Sequence, residues 1–600
     1  MLYIERQPGK RSVALLAILG TLLYAGALYV FELRASDEGL QAAMAREIVA
    51  TGDYLKTHLY GRAIREYPLY SWLVTLCSGF GSPTVWSLRL PSILSVLGLA
   101  VVSGISARRL QSPFSGYIAA AVVAMSAVSF HVGFRAQTEY LQAFLAFSAW
   151  WSWYHYGVNE KQWNRAWMVS LALVFIGILN CGLEAVFWFY LPLLFMPRQV
   201  NAKMRMQMPA HVVSVLVVLV LVFIWEWVTP DQPLMPWSQE PGLGNVPHDN
   251  SGYFWHFIVF PWKMVYYLLP WSILLWAPFC VALRQFEQSP QACRFLRIII
   301  NVIFVCVWLF PGTSPLHLLP LLGPIAVLIG IHYEIVIRRY QHILNRMLHV
   351  VGWLVALLCC LASLFWLLVG VGLVSVEEIG LGRAWMSMLL MGTIAVVFWA
   401  LVLRRENHST FRSSIIWCIF SAQALLLCTV ETARQWNNSD RRIAGETLAG
   451  LRKVHVDGET RPVETLQDLS DSVPRIYYKP PRDNPNLYLA ELFWLGKPLV
   501  YIRPKEDWEK GLPVGEERVY VLNTHVPPVT TREWRPISPA VDMKLRRRPS
   551  VTLTNWQGGK PFVHIRRVAE PAESRSQMNL QLFEGVIIRE TGQGGANTEK

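Results

Sequence analysis

Residues 36–73 read SDEGLQAAMAREIVATGDYLKTHLYGRAIREYPLYSWL. They follow an apolar run at 13–31 and precede another that starts at 89. The stretch is too polar to cross a bilayer and too apolar for a linker. Ser36 is a suitable helix cap. Leu40, Met44 and Ile48 then recur at i, i+4 and i+8, which lines up one apolar stripe. The spacing predicts a helix lying along a membrane surface, ended by Gly52-Asp53. Asp37 and Glu38 fall in its first turn, where a helix N-terminus favours ionised carboxylates. A carboxylate held at the lipid boundary can take a proton from an attacking hydroxyl or amine. Helix capping is the plain alternative for the same pair.

Outward from this loop the chain divides in two. Its 600 residues are 53% hydrophobic and 16% charged, with 26 Trp and a net charge of +13. About 11% of residues 1–430 are charged, against about 28% of residues 431–600. These values exclude a disordered chain, a collagen and a small disulfide scaffold. A helix needs about 20 mostly apolar residues to cross a bilayer, and such runs number about thirteen. They lie near 13–31, 89–107, 113–131, 138–157, 166–181, 183–197, 209–228, 264–283, 297–311, 316–337, 347–371, 384–403 and 413–430. Residues 298–333 carry no Asp, Glu, Lys or Arg and are divided at Pro311-Gly312, because Pro and Gly punctuate helices.

Lys and Arg collect in alternate short loops, for example Arg108-Arg109, Arg284 with Arg294, and Arg338-Arg339 with Arg346. The other loops are nearly bare. By the positive-inside rule the N-terminus is cytoplasmic, and the basic excess is a topology signal that argues against nucleic acid as a partner. An odd number of spans places 431–600 outside. All nine Cys precede residue 430, so this exported part has no disulfide. Short runs at 475–478, 498–502, 518–522 and 562–565, with a helix near 484–495, predict a small mixed α/β domain. The expected architecture is a polytopic α-helical membrane domain, 1–430, with the long first external loop 32–88, followed by a soluble extracytoplasmic α/β domain, 431–600.

A second acid, Glu139, stands in FRAQTE (134–139) at the mouth of a span. Ionisable groups at the membrane boundary are functional candidates. An Arg135–Glu139 pair at i, i+4 is the structural alternative.

Together these features resemble the GT-C glycosyltransferases, in particular the bacterial aminoarabinose transferases and the dolichyl-phosphate-mannose protein mannosyltransferases. The resemblance runs through 36–73, RLPS (89–92), FRAQTEYLQAF (134–144), LPWSILL (269–275), FPGTSPLHLLPLLGP (310–324) and the 476–501 segment. It implies a membrane enzyme that moves a sugar, with inversion, from a polyprenyl-phosphate donor to a lipid, glycan or protein acceptor outside a bacterial cytoplasmic (inner) membrane. Asp37 would activate the acceptor and Glu38 would support it. Glu139 stands where the family has a second Asp. Glu66 matches the Glu of Glu-Lys-Pro, and His58 matches the His of His-Leu-x-Gly.

Three departures remove usual phosphate-binding cations. Tyr67 replaces the Lys of Glu-Lys-Pro. Asn180-Cys181-Gly182-Leu183 replaces Thr-Lys-Gly-Pro. Ser314, Leu316 and His317 replace a basic site before Tyr-x-x-Pro. Phosphate binding is then expected to rest on His58, Arg62, Arg65, Arg135 and His317, beside Glu66 and Tyr67. A sugar leaving phosphate leaves an anion, which cationic groups should face. Trp72, Trp262 and Trp271 are candidates for sugar stacking, with interfacial belt residues as the alternative. No cofactor is expected. His58, Glu66, Glu139 and His317 lack metal-ligand spacing on one element, so no metal is assigned, and a divalent ion is left open. A transporter or flippase, or a non-catalytic binder of lipid-linked glycans, is the alternative class. Transporters often show related halves, and no internal repeat is visible.

Overall fold

A computed structural model describes residue 33, residues 37–64, 66–196, 205–229, 250–310, 313–376 and 381–403, and from 442 onward chiefly strands and one helix. The expected spans at 13–31 and 413–430 lie outside the described residues, as do Ser36 and Arg65.

The long first loop forms α1 (Asp37–Thr51), a hairpin of β1 (His58–Leu59) and β2 (Arg62–Ala63), and α2 (Leu69–Cys77). The helix ends where Gly52-Asp53 predicts. Asp53 Oδ1 then accepts from the backbone N–H groups of Leu55 and Lys56, which turns the chain.

The membrane bundle begins with α3 (Val85–Leu110), α4 (Pro113–Ala124), α5 (Ala127–His131) and α6 (Glu139–Ser152). A π-helical turn, Trp153–Asn159, extends α6. Next come α7 (Trp163–Cys181), α8 (Glu184–Leu194), α9 (Pro209–Val228), α10 (Asn250–Tyr267), α11 (Val281–Arg284) and α12 (Pro290–Leu309). A 3-10 stretch, Pro315–Leu321, leads into α13 (Leu322–Gly370). Local sequence sets several starts. Thr84 and Ser87 form a reciprocal capping box at α3, and Ser112 caps α4 with Pro113 in its first turn. A Cβ on Gly104 would lie 3.1 Å from the Gly116 carbonyl oxygen. Only small residues let α3 and α4 approach so closely.

Seven helices among the described residues are long and apolar enough to span a membrane. An eighth arises if Phe254–Tyr267 and Trp271–Phe279, bent by 104°, act as one span. The bent pair begins at Phe254, earlier than the expected 264–283 span. α12 ends at Leu309 and the next 3-10 stretch starts at Pro315, on either side of the expected division at 311–312, which lies outside the described residues. The connection carrying Arg338, Arg339 and Arg346 differs from expectation. It is helical, and α13 runs on for 49 residues with a break in helical geometry at Tyr340. A straight helix of that length would measure roughly 74 Å, far more than a bilayer core, so the break separates two spans.

Beyond Gly370 the chain forms β3 (Val374–Val376) and α14 (Leu381–Leu403). The C-terminal region contributes β4 (His455–Val456), β5 (Glu459–Thr460), β6 (Ile476–Tyr478), α15 (Leu489–Leu495), β7 (Leu499–Tyr501), β8 (Arg518–Asn523), β9 (Arg532–Pro536), β10 (Val541–Asp542), β11 (Arg547–Leu553), β12 (Val563–Ala569) and β13 (Asn579–Ile587). The main sheet has the order β10-β13-β8-β6-β7, with β9 also on β13. β6 and β7 are parallel, which requires a crossover, and α15 supplies it. Strand alternation gives the sheet two apolar faces. Ile476, Tyr478, Tyr520 and Leu522 pack with α15, whereas Val519, Val521, Trp534 and Phe583 form a separate cluster.

This region is joined to the membrane part at two places. β12 pairs in parallel with β3 from the loop after α13. The main sheet and α15 also meet the long first loop. Leu59 and Tyr60 belong to the same apolar cluster as Tyr478 and Leu522, and Leu40 and Ala43 of α1 pack against that cluster. Ala42 and Ala45, on another side of α1, pack with Tyr70, Leu88 and Leu141 of the bundle. The helix is therefore covered by protein on two sides, and not laid on lipid along a single stripe.

Candidate functional site

Glu38, one residue into α1, is fully buried and pairs with equally buried Arg89 in the first turns of α3. Arg89 Nε donates to Glu38 Oε1 at 3.1 Å and Nη2 donates to Oε2 at 3.3 Å. A buried charge persists only when paired and hydrogen-bonded, and this two-point arrangement meets that condition. Glu38 Oε1 also accepts from the backbone N–H of Ala136 at 3.1 Å. One carboxylate thus ties three separate segments together.

The segment holding Ala136 is fastened at each of the next two residues as well. Ser92 Oγ donates to the Gln137 carbonyl at 2.9 Å, and Asn180 Nδ2 donates to the Thr138 carbonyl at 3.2 Å. Three consecutive peptide units are held by α1, α3 and α7. The fastening fixes the residues on either side, Arg135 and Glu139. Glu139 opens α6, where the helix dipole favours its charge. Arg135 lies within electrostatic range of Tyr267 on α10.

Tyr70 of α2 links the acids. Its hydroxyl donates to the Leu88 carbonyl at 2.9 Å and lies 2.8 Å from Ser92 Oγ. Burial raises its pKa far above the phenol range, and the nearby Glu38 and Glu139 charges add to the rise. The phenol stays protonated between two carboxylates. The structure therefore brings Glu38 and Glu139 to one locus, with Asp37 at the start of the helix that carries Glu38.

A second wall stands beside it. Gly182, between α7 and α8, has φ +65, and a Cβ there would lie 2.3 Å from the Tyr67 hydroxyl. The Tyr67 ring thus covers a backbone position only glycine can occupy. Burial pushes the Tyr67 phenol up to about 12, helped by Cys181, Glu66 and Glu184. Two of the three departures in the resemblance, Tyr67 and Asn180-Cys181-Gly182-Leu183, are in contact, and Asn180 touches the site loop.

Other expected residues are distributed differently. His58 sits within electrostatic range of Glu47, ten residues along α1 from Asp37, or about 15 Å. Arg62 pairs with Leu59 in the hairpin register, and Arg65 is outside the described residues. Glu66 is exposed, and its carbonyl accepts from Thr57 Oγ1 at 3.0 Å. His317 lies in the 3-10 stretch that packs against α6. Trp271 is 2% exposed and belongs to the bundle core, which removes it as a sugar platform. The Trp72 indole donates to the Tyr54 carbonyl at 2.6 Å, whereas Trp262 is 71% exposed.

Sequence reasoning quoted Arg89 within RLPS but gave it no role. A lone Arg at the head of an apolar span is itself the signal, because such a charge needs a buried partner.

The fold is the GT-C membrane fold, with a small sheet after the last described membrane helix. Residues 65–227 match the sequence profile of a family described as dolichyl-phosphate-mannose-protein mannosyltransferase. The chain is similar in structure to ArnT from Cupriavidus metallidurans in the apo state, with a TM-score of 0.61 and 15% identity over 85% of this chain and 92% of that one. It is equally similar to the same ArnT bound to undecaprenyl phosphate, with a TM-score of 0.61 and 15% identity over 96% of this chain and 98% of that one. No curated protein sequence matches it. The resemblance read from the first-loop motif thus holds for the fold.

Proposed function

We propose that the chain is a membrane glycosyltransferase that takes a sugar from a polyprenyl-phosphate donor and passes it, with inversion, to a lipid, glycan or protein acceptor. The observation that carries this reading is the joining of Glu38 and Glu139 around Tyr70, beside the start of α1, in a fold shared with a protein that binds undecaprenyl phosphate.

In this reading Asp37 takes the proton of the acceptor hydroxyl or amine. The acceptor oxygen or nitrogen bonds to the anomeric carbon as the bond from that carbon to the phosphate oxygen breaks. The phosphate departs as an anion, and Arg135, adjoining the fastened loop, is the cation we assign to it. Glu38 acts as a positioning residue, since both its oxygens are engaged by Arg89. His317 stands on the neighbouring 3-10 stretch as a further phosphate contact. Tyr67, with Glu66 beside it, closes the first-loop side at Gly182. The reading needs no metal or cofactor.

The location we assign is a bacterial inner membrane, with a cytoplasmic N-terminus and the region after 431 outside. Several contacts support a shared side for the external parts. The first loop touches Ala136, β3 pairs with β12, and Tyr60 accepts from the Tyr501 backbone N–H at 2.9 Å. The side opposite carries most loop Lys and Arg.

The test combines comparison of envelope glycolipids and glycoproteins by mass spectrometry, with and without the gene, and assays of purified variants. A sugar mass that disappears with the gene is expected. Arg135→Ala and His317→Ala should each slow donor consumption. If neither does, the proposed phosphate site is wrong.

A further inference from the structure

Phe493, more than 400 residues along the chain from α1, belongs to the apolar cluster that lies directly beneath the site. Its neighbours in that cluster include Ala42 and Ala45 of α1, Tyr70 of α2, Leu88 of α3 and Ala136 of the fastened loop. The ring is 6% exposed. The Arg46 guanidinium of α1 lies over it, 4.7 Å from its centre, a cation–π contact in a desolvated setting. Trp494 packs on the same cluster.

The rest of the interface holds the far end of α1. Glu47 Oε1 accepts from the Gly61 N–H at 2.8 Å at the hairpin tip. The neighbouring Tyr60 accepts from Tyr501 of β7, and its ring meets Tyr478 of β6 edge-on at 5.8 Å. The bundle therefore grips α1 at Glu38, and the C-terminal region packs along it at Leu40, Ala43 and Arg46.

We propose that Phe493 of the C-terminal region is a positioning residue for the site, holding α1 at the register and tilt that its N-terminal acids need. The inference rests on the glycosyltransferase reading for its activity readout, but its structural readout is independent. The mechanism is lever-like. A helix clamped between the bundle and the C-terminal region keeps its first turn fixed, and small displacements of reacting groups lower rate steeply. Phe493 touches no reacting atom in this scheme.

The test uses the full-length protein in lipid nanodiscs. Hydrogen exchange is followed at residues 37–51, together with turnover of a polyprenyl-phosphate sugar. Phe493→Ala should speed exchange in 37–51 and leave 85–110 protected. It should lower kcat by about 10- to 100-fold with little change in donor KM. Phe493→Leu should restore most of both. Trp534→Ala, on the opposite face of the C-terminal sheet, is the control, because it loosens that sheet without touching α1. It should leave 37–51 protected. Unchanged exchange in 37–51 for Phe493→Ala would overturn the proposal. So would a loss of protection spread through the bundle, or an equal effect from Trp534→Ala. If the wild type turns over no such donor while Phe493→Ala still releases 37–51, the glycosyltransferase reading fails and the positioning of α1 stands.

Discussion

Two buried Arg–Glu pairs stand at opposite ends of the bundle. One joins Arg89 and Glu38 at the start of α3. The other joins Arg297 of α12 and Glu287, with the His332 ring of α13 at 3.0 Å from the same carboxylate. Ser289, two residues after Glu287, donates to the Leu110 carbonyl at the far end of α3. Arg89 and Leu110 are thus one helix apart, roughly 30 Å. The first pair fastens a loop and a helix start that carry Arg135, Glu139 and Asp37. The second joins the chain after the bent pair to two helices, with Arg297 Nε also donating to the Pro278 carbonyl at 2.7 Å. The chemistry of the two pairs is the same. Only the first lies among the acids we assign to the reaction.

The comparison breaks most visibly if each pair is cut. Glu38→Gln and Glu287→Gln should each cost about 3–5 kcal/mol of stability, because each leaves a buried guanidinium uncompensated. Thermal unfolding in a fixed detergent measures this. Among molecules that remain folded, Glu38→Gln should lower sugar transfer by on the order of 100-fold or more. Glu287→Gln should leave it near wild type. Equal losses of transfer would erase the distinction.

A smaller effect is expected at the second wall. Gly182→Ala forces a side chain into a positive-φ position against the Tyr67 hydroxyl, at a cost of about 1–3 kcal/mol. Combining it with Tyr67→Ala should recover the part due to the clash and leave the backbone part. Ser92→Ala removes the donor to Gln137 and the partner of Tyr70, and should cost about 1 kcal/mol per lost bond. Its transfer rate should fall far less than that of Glu38→Gln.

The smallest effect is a pH dependence where the C-terminal region meets α1. Burial raises the Glu47 carboxyl above its ordinary value of 4.5, although the Gly61 N–H and nearby His58, Arg475 and Arg46 oppose the rise. The folded protein therefore holds this proton more tightly than the unfolded chain. That contribution is full below pH 4.5 and is lost as pH rises through the folded value. Exchange at 58–63 should accordingly quicken over this rise, and Glu47→Gln should flatten the change.

Much of the membrane part is legible in the sequence, because a bilayer demands long apolar runs and such runs are local. The strands at 476–478 and 518–523 were legible for a similar reason, since alternation and β-branched or aromatic residues are local signals. The acids were found through the first-loop motif. What local reading missed is pairing over distance. Arg89 and Glu38 are 51 residues apart, so spacing on one element cannot show their contact. His58 was grouped with the phosphate site by its motif, but the hairpin carries it toward Glu47 at the other end of α1. Phe493 falls within the helix expected near 484–495, and only the fold shows its contact with the first loop. Arg338 and Arg339 read as a loop between two apolar runs, yet the helix continues through them, because straight-chain basic residues are good helix formers.

The most direct test is release of polyprenyl phosphate from a polyprenyl-phosphate sugar by the purified protein and by Asp37→Asn, with acceptor lipids present. The wild type should release it with transfer of the sugar. Asp37→Asn should lose transfer while keeping the wild-type melting temperature and binding of the carrier. Transfer by Asp37→Asn at the wild-type rate would contradict the assignment of the base, and with it the central claim that the start of α1 is where the chemistry occurs.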